Sequence, residues 1–148
     1  MHVTLFLAAM SLGAPAPKDP PTEANDIVGE WVVESIRANG KARSLGDEPL
    51  HYHFTADGKW TMSRRDRKVG GDGRRFAFDP KANPATIDLD PNPGGENNQV
   101  IPGIYKVERD TLTVCLAQTS RATRPTSFEA TDGSGTVLYV FKRMKPKE

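Results

Sequence analysis

From residue 27 to residue 143 the chain alternates apolar and polar side chains in short runs, separated by turns that carry glycine or aspartate. In the run 30–37, Trp31, Val33 and Ser35 share one face, and Val32, Glu34 and Ile36 share the other. A strand presents successive side chains to opposite faces, so a period of two is its mark. Leu50, Tyr52 and Phe54 then alternate with His51 and His53, and Ala56-Asp57-Gly58-Lys59 leads into Trp60, Met62 and Arg64. Aspartate-glycine between two alternating runs predicts a tight hairpin, because glycine accepts the positive φ that such a turn demands. Further runs cover 74–78, 85–90, 104–108 and 111–117, with Arg109-Asp110 turning the last two back on one another. A final hairpin is predicted between 127–130 and 136–143, across Asp132-Gly133-Ser134-Gly135. No window of a dozen residues carries a helical period.

The pattern predicts one all-β domain over residues 27–145, with about eight strands. Consecutive strands joined by tight turns favour a meander, and closing it removes exposed edges. An up-and-down antiparallel β-barrel is therefore expected, with a β-sandwich as the alternative. Trp31, Val33, Tyr52, Phe54, Trp60 and Met62 are assigned to its interior. Phe76, Phe78, Ile87, Leu89, Tyr105, Leu112 and Val114 join them, as do Phe128, Leu138 and Val140, and Ser35 is the polar exception on this face. Small barrels of about eight strands either fill with side chains or hold one small ligand. The leading expectation is a binding protein for an apolar or amphipathic small molecule, lined by Trp31, Val33, Ser35, Tyr52, Phe54, Trp60, Met62, Phe76, Phe78, Tyr105 and Phe128.

The start of the chain has a different character. Residues 3–12 (VTLFLAAMSL) form an apolar run too short to cross a bilayer, which takes about 20 residues. Small residues follow at Gly13, Ala14 and Ala16, so residues 1–16 read as a signal peptide and 17–26, rich in proline, as a linker. Export to the periplasm, cell envelope or medium is expected. The net charge of +1 implies no broad commitment to nucleic acid or membrane. A single cysteine cannot close an internal disulfide, so packing must hold the fold.

Gly29-Glu30-Trp31 at the start of the first run resembles the Gly-x-Trp signature of lipocalins. A wider set of motifs runs through Asn39-Gly40-Lys41, the stretch from Asn83-Pro84-Ala85 to Leu89, Gly103-Ile104-Tyr105 and Asp110-Thr111-Leu112-Thr113-Val114-Cys115. It continues in Arg124-Pro125-Thr126-Ser127-Phe128 and Val137-Leu138-Tyr139-Val140-Phe141-Lys142-Arg143. In this order they resemble an uncharacterised lipocalin-like domain family abundant in planctomycete bacteria, over roughly residues 27–143. The resemblance implies a barrel, an exported location and a tryptophan packed across the barrel's closed end. It implies no activity.

Candidate chemistry is sparse. His51 and His53 lie two apart on a strand, roughly 7 Å from one another on one face. A catalytic zinc wants a third protein ligand, and alternation places both histidines in solvent. Asp88-Leu89-Asp90-Pro91-Asn92 resembles the opening of a calcium loop, but Pro93 and Gln99 stand where an EF-hand needs glycine and glutamate. Cys115 lies mid-strand, away from any group that would stabilise a thiolate. Arg64, Arg65, Arg67, Lys68, Arg74 and Arg75 form a basic hairpin around Val69-Gly70-Gly71-Asp72-Gly73. As the second expectation, this hairpin contacts an anionic partner. An exported hydrolase is the third, and no catalytic constellation carries it; the chain reads as a non-enzyme without a cofactor.

Overall fold

The computed structural model describes residues 27–97 and 99–145. The expected signal peptide and the expected linker, residues 1–26 together, lie outside the described residues. The described chain forms ten strands and no helix: β1 (Gly29–Ala38), β2 (Lys41–Ala42), β3 (Leu50–Phe54), β4 (Trp60–Arg64), β5 (Arg67–Val69), β6 (Arg75–Asp79), β7 (Thr86–Asp90), β8 (Ile101–Glu108), β9 (Thr111–Ala117) and β10 (Thr136–Arg143). The fold is all-β, as the alternation predicts. One antiparallel sheet holds every strand in the order β5-β4-β3-β1-β10-β9-β8-β7-β6, with β2 attached to the end of β1. Eight of the strands have five residues or more, while β2 and β5 have two and three. At the β3–β4 hairpin, Gly58 takes a φ of +81° and the Thr55 hydroxyl accepts from Lys59 N, as the aspartate-glycine signal requires.

Three expectations need correction. The first is closure: the ladder is not a closed barrel. Among the described residues the β4 and β6 sides meet at one isolated bridge, between Lys59 just before β4 and Arg75 on β6, flanked by Trp60 N donating to Arg74 O (3.2 Å) and Phe76 N to Gly58 O (2.9 Å). β5 and β6 behave as two halves of one strand parted by the glycine-rich residues 70–73. The first half pairs with β4 and the second with β7, so little edge is left for the two to share.

The second correction concerns parity. Trp31 and Val33 face inward, but a bulge between Val33 and Ser35 shifts the register of β1 on β10. A bulge inserts an extra residue and exchanges the two faces beyond it. Ser35 therefore lies opposite Val140 on the outer face, and Ile36 opposite Tyr139 packs against the core. On β10 the inward residues are Tyr139 and Phe141, and Leu138 and Val140 point outward.

The third is the last hairpin. Residues 127–130 are not a strand, because β10 already pairs with β1 on one edge and β9 on the other. The 118–135 connection instead crosses the outer face of the sheet over Ile104 and Cys115, both buried. Arg124 fastens it there: Nη1 donates to Gly103 O (2.8 Å) and Ile87 O (3.2 Å), and Nη2 to Asp88 Oδ1 (2.8 Å). Phe128 sits on this outer side beneath the Lys106 ammonium, 5.0 Å from its ring centre. It does not line the interior.

Candidate functional site

The interior is built first by its two ends. At the end where β1 begins, Trp31 is wholly buried and its Nε1 donates to Ile27 O at 2.9 Å. The Arg143 guanidinium lies 4.2 Å from the Trp31 ring and donates to Val28 O. Tryptophan thus plugs this end, with both its polar tip and its ring face occupied. At the other end, inward-facing Arg64 on β4 donates from Nη1 to Leu45 O (2.8 Å) and Glu48 O (2.7 Å), which draws residues 43–49 across the opening.

Between these ends the aromatic side chains meet one another. Tyr52 stacks on Trp60 at 5.7 Å and meets Phe141 edge-on at 5.0 Å. Phe54 meets Phe76 edge-on at 5.0 Å, and Phe76 stacks on Phe78 at 5.7 Å. Trp31, Val33, Tyr52, Phe54, Trp60, Phe76 and Tyr105 all belong to this buried cluster, with Met62 and Phe78 packed partly buried against it. The void lined by Tyr52, Phe54, Ile87, Leu89, Val114, Leu116, Tyr139 and Phe141 has room for about 10 Å³ of water. That is about one water molecule. Burial pushes the Tyr52 phenol far above the ordinary tyrosine value, the neighbouring Tyr139 adds to the rise, and Arg74 and Arg64 partly offset it.

The basic hairpin divides into an outer and an inner set. Arg65, Arg67, Lys68 and Arg75 are exposed. Arg65 and Arg67 share one carboxylate, Glu48, at 3.2 and 3.4 Å, and Lys68 pairs with Asp72. Arg64 and Arg74 turn inward. Arg74 lies opposite Trp60 across the bridge, and its guanidinium stands 4.8 Å from the centre of the Trp60 ring. Its Nη1 is buried without a hydrogen-bond partner. The Trp60 indole donates to Arg75 O at 2.9 Å, which locks the ring in place beneath the arginine.

The remaining candidates stay apart. His51 and His53 face outward, opposite Ser63 and Thr61 on β4, and among the described residues no group of three His, Cys, Asp or Glu side chains is close enough to hold a metal. Asp88 is engaged by Arg124, while Asp90 caps its own turn by accepting from Asn92 N at 3.0 Å. Cys115 is buried under the 118–135 connection, and that burial pushes its thiol up. Ser134 closes its turn by donating to Thr131 O. An open cleft of about 670 Å³ lies at the β1–β2 turn, lined by residues 38–43 and Asp132. Among the described residues no helix is long and apolar enough to cross a membrane.

Arg124 and Glu48 are the residues that sequence reasoning missed. The one is a buttress and the other a charge partner set by loops, and neither carries a period. No family model, no curated protein and no solved structure matches the chain. The lipocalin-like resemblance rests on the sequence motifs alone.

Proposed function

We propose that this protein is an exported, non-catalytic binding module that meets an anionic partner with the basic edge formed by β4, β5 and β6. The filling of the interior carries the reading. Pockets for drug-sized molecules run to about 300 Å³ or more, against about 10 Å³ here. The outside of the molecule is then the place for recognition. On the β4–β6 edge, two arginines share one carboxylate, and Arg75 adds a further cation. Exposed ion pairs are weak and exchange readily with solvent, so these side chains remain open to an anionic surface.

Replacing Arg65, Arg67 and Arg75 with serine tests the reading, using retention on a sulfonate cation exchanger at low salt. A second variant with Arg37, Lys41 and Arg43 replaced by serine removes the same charge at the β1–β2 turn. The edge variant is expected to elute at markedly lower salt than the turn variant. Equal shifts would mean that total charge alone governs retention, and the edge would lose its role.

A second reading, an apolar or amphipathic ligand held inside, is favoured by the aromatic lining of the interior. It requires residues 43–49 to lift and the rings to part. A ligand mass retained by the native protein in gentle mass spectrometry is its test.

A further inference from the structure

We infer that Glu48 is a latch: its carboxylate occupies Arg65 and Arg67 in the free protein, and an anion that takes those arginines loosens residues 43–49 from the opening of the interior. The inference rests on the proposed reading of the basic edge, and it makes recognition outside and opening inside one event. Arg43 N donates to Ile36 O at 2.7 Å and fixes one end of this strap, while Leu50, buried at the start of β3, fixes the other. Between them Leu45 packs against the core. Every hydrogen bond and ion pair that ties residues 44–49 to another part of the described chain comes from the β4–β5 hairpin. Arg64 Nη1 holds the backbone, at Leu45 O and Glu48 O. Arg65 Nε meets one oxygen of the Glu48 carboxylate at 3.2 Å, and Arg67 Nη2 meets the other at 3.4 Å.

Exposure orders these groups from the outside in. The Arg65 and Arg67 side chains are 75% and 79% exposed, against 24% for Glu48. An anion arriving from solvent therefore reaches the two guanidinium groups before it reaches the strap, and it competes with Glu48 for the same charged donors. Arg64 and Arg65 are consecutive residues, so one short hairpin grips Glu48 by its backbone and by its side chain together. Once an outside anion has taken Arg65 and Arg67, only the two Arg64 bonds and the packing of Leu45 keep the strap closed. Ion pairs at exposed arginines are weak, so the latch moves the balance of closed and open forms several-fold rather than a thousandfold. By linkage, whatever factor the anion adds to opening, opening adds to the affinity for the anion.

The test uses dextran sulfate as the probe, uncharged dextran as its control, and hydrogen exchange of residues 43–49 as the readout, since exchange tracks how often a segment opens. Dextran sulfate is expected to speed that exchange about threefold or more, and dextran to leave it unchanged. Glu48→Gln should speed it by a similar factor with no probe present, and the probe should then add nothing. Asp66→Asn removes the same charge from the exposed turn between Arg65 and Arg67, and it should exchange as the parent does. It should also bind dextran sulfate more weakly than Glu48→Gln does, because its latch still competes. The Trp31 indole signal, at the opposite end of the interior, reports whether each variant keeps its fold. If Glu48→Gln does not, Arg65→Gln combined with Arg67→Gln opens the latch from the other side and should speed exchange alike. Exchange of residues 43–49 unmoved by saturating dextran sulfate, or Glu48→Gln matching Asp66→Asn in exchange and in affinity, would overturn the inference. Dextran sulfate binding equally well to the variant lacking Arg65, Arg67 and Arg75 would remove the edge reading and the latch with it. Binding lost in that variant, with the parent's strap unmoved by the probe, strikes the latch alone.

Discussion

Tyr52 touches Phe54, Trp60, Tyr139 and Phe141, and its phenol is an acid that folding keeps neutral. Tyr139 and Cys115 share that condition, each raised by burial. An acid protected in this way loses its proton more readily in the unfolded chain. The stabilisation is complete below the unfolded values, roughly 8.5 for a thiol and 10 for a phenol, and it drains away as pH climbs past them toward the raised folded values. The urea midpoint is expected to fall steadily from about pH 9 to about pH 11, and Tyr52→Phe should flatten that fall. An unchanged slope in Tyr52→Phe would show that this phenol ionises as easily folded as unfolded. At this scale the sequence was legible wherever a large apolar residue sat in an undisturbed alternation, as for Trp31, Tyr52, Phe54 and Trp60. It misled for Ser35 and Phe128, whose positions depend on a bulge and on a crossing loop rather than on their own neighbours. The inward turn of Arg64 and Arg74 was hidden for a related reason: arginine at an alternating position reads as solvated until the backbone carbonyls or ring that receive it are known.

Within β1, the bulge decides which residues the strand buries. Glu34 is the extra residue, exposed between inward Val33 and outward Ser35. Deleting it leaves Val33 inward, Ser35 outward and Ile36 inward on a regular ladder, so the variant is expected to lose no more than about 1–2 kcal/mol, the scale of an ordinary substitution. Deleting Thr113 from the unbulged β9 exchanges the faces of every residue beyond it, and Val114, Leu116 and their neighbours leave the core. That variant is expected not to fold cooperatively. Chemical unfolding of the two deletions side by side checks the contrast, and comparable losses would mean that the bulge is not what sets the parity. Strands bounded by a glycine turn were read correctly from sequence, β3 and β4 above all. Residues 127–130 were misread because a glycine turn marks where a chain reverses and says nothing about whether the neighbouring edge is already taken.

Across the molecule, two meanders are joined firmly on one side and lightly on the other. β1 and β10 pair along most of their length, whereas among the described residues the β4 and β6 sides share one bridge. The all-β class was legible because alternation is local. The open ladder was not, because it arises from residues 70–73 lying between half-strands with different partners. The ends of the described domain also come together, Met144 N donating to Glu30 O at 2.8 Å. A short peptide joining residue 145 to residue 27 therefore allows new termini to be cut elsewhere. A circular permutant opened between Gly71 and Asp72 breaks no strand and is expected to keep most of the parent's thermal midpoint. One opened at Arg109–Asp110 separates β8 from β9 and should fall well below it. Equal midpoints would show that both connections matter alike. The place where the wall is thinnest is thus where the chain tolerates rewiring, and a recognition sequence grafted there would emerge beside the cations.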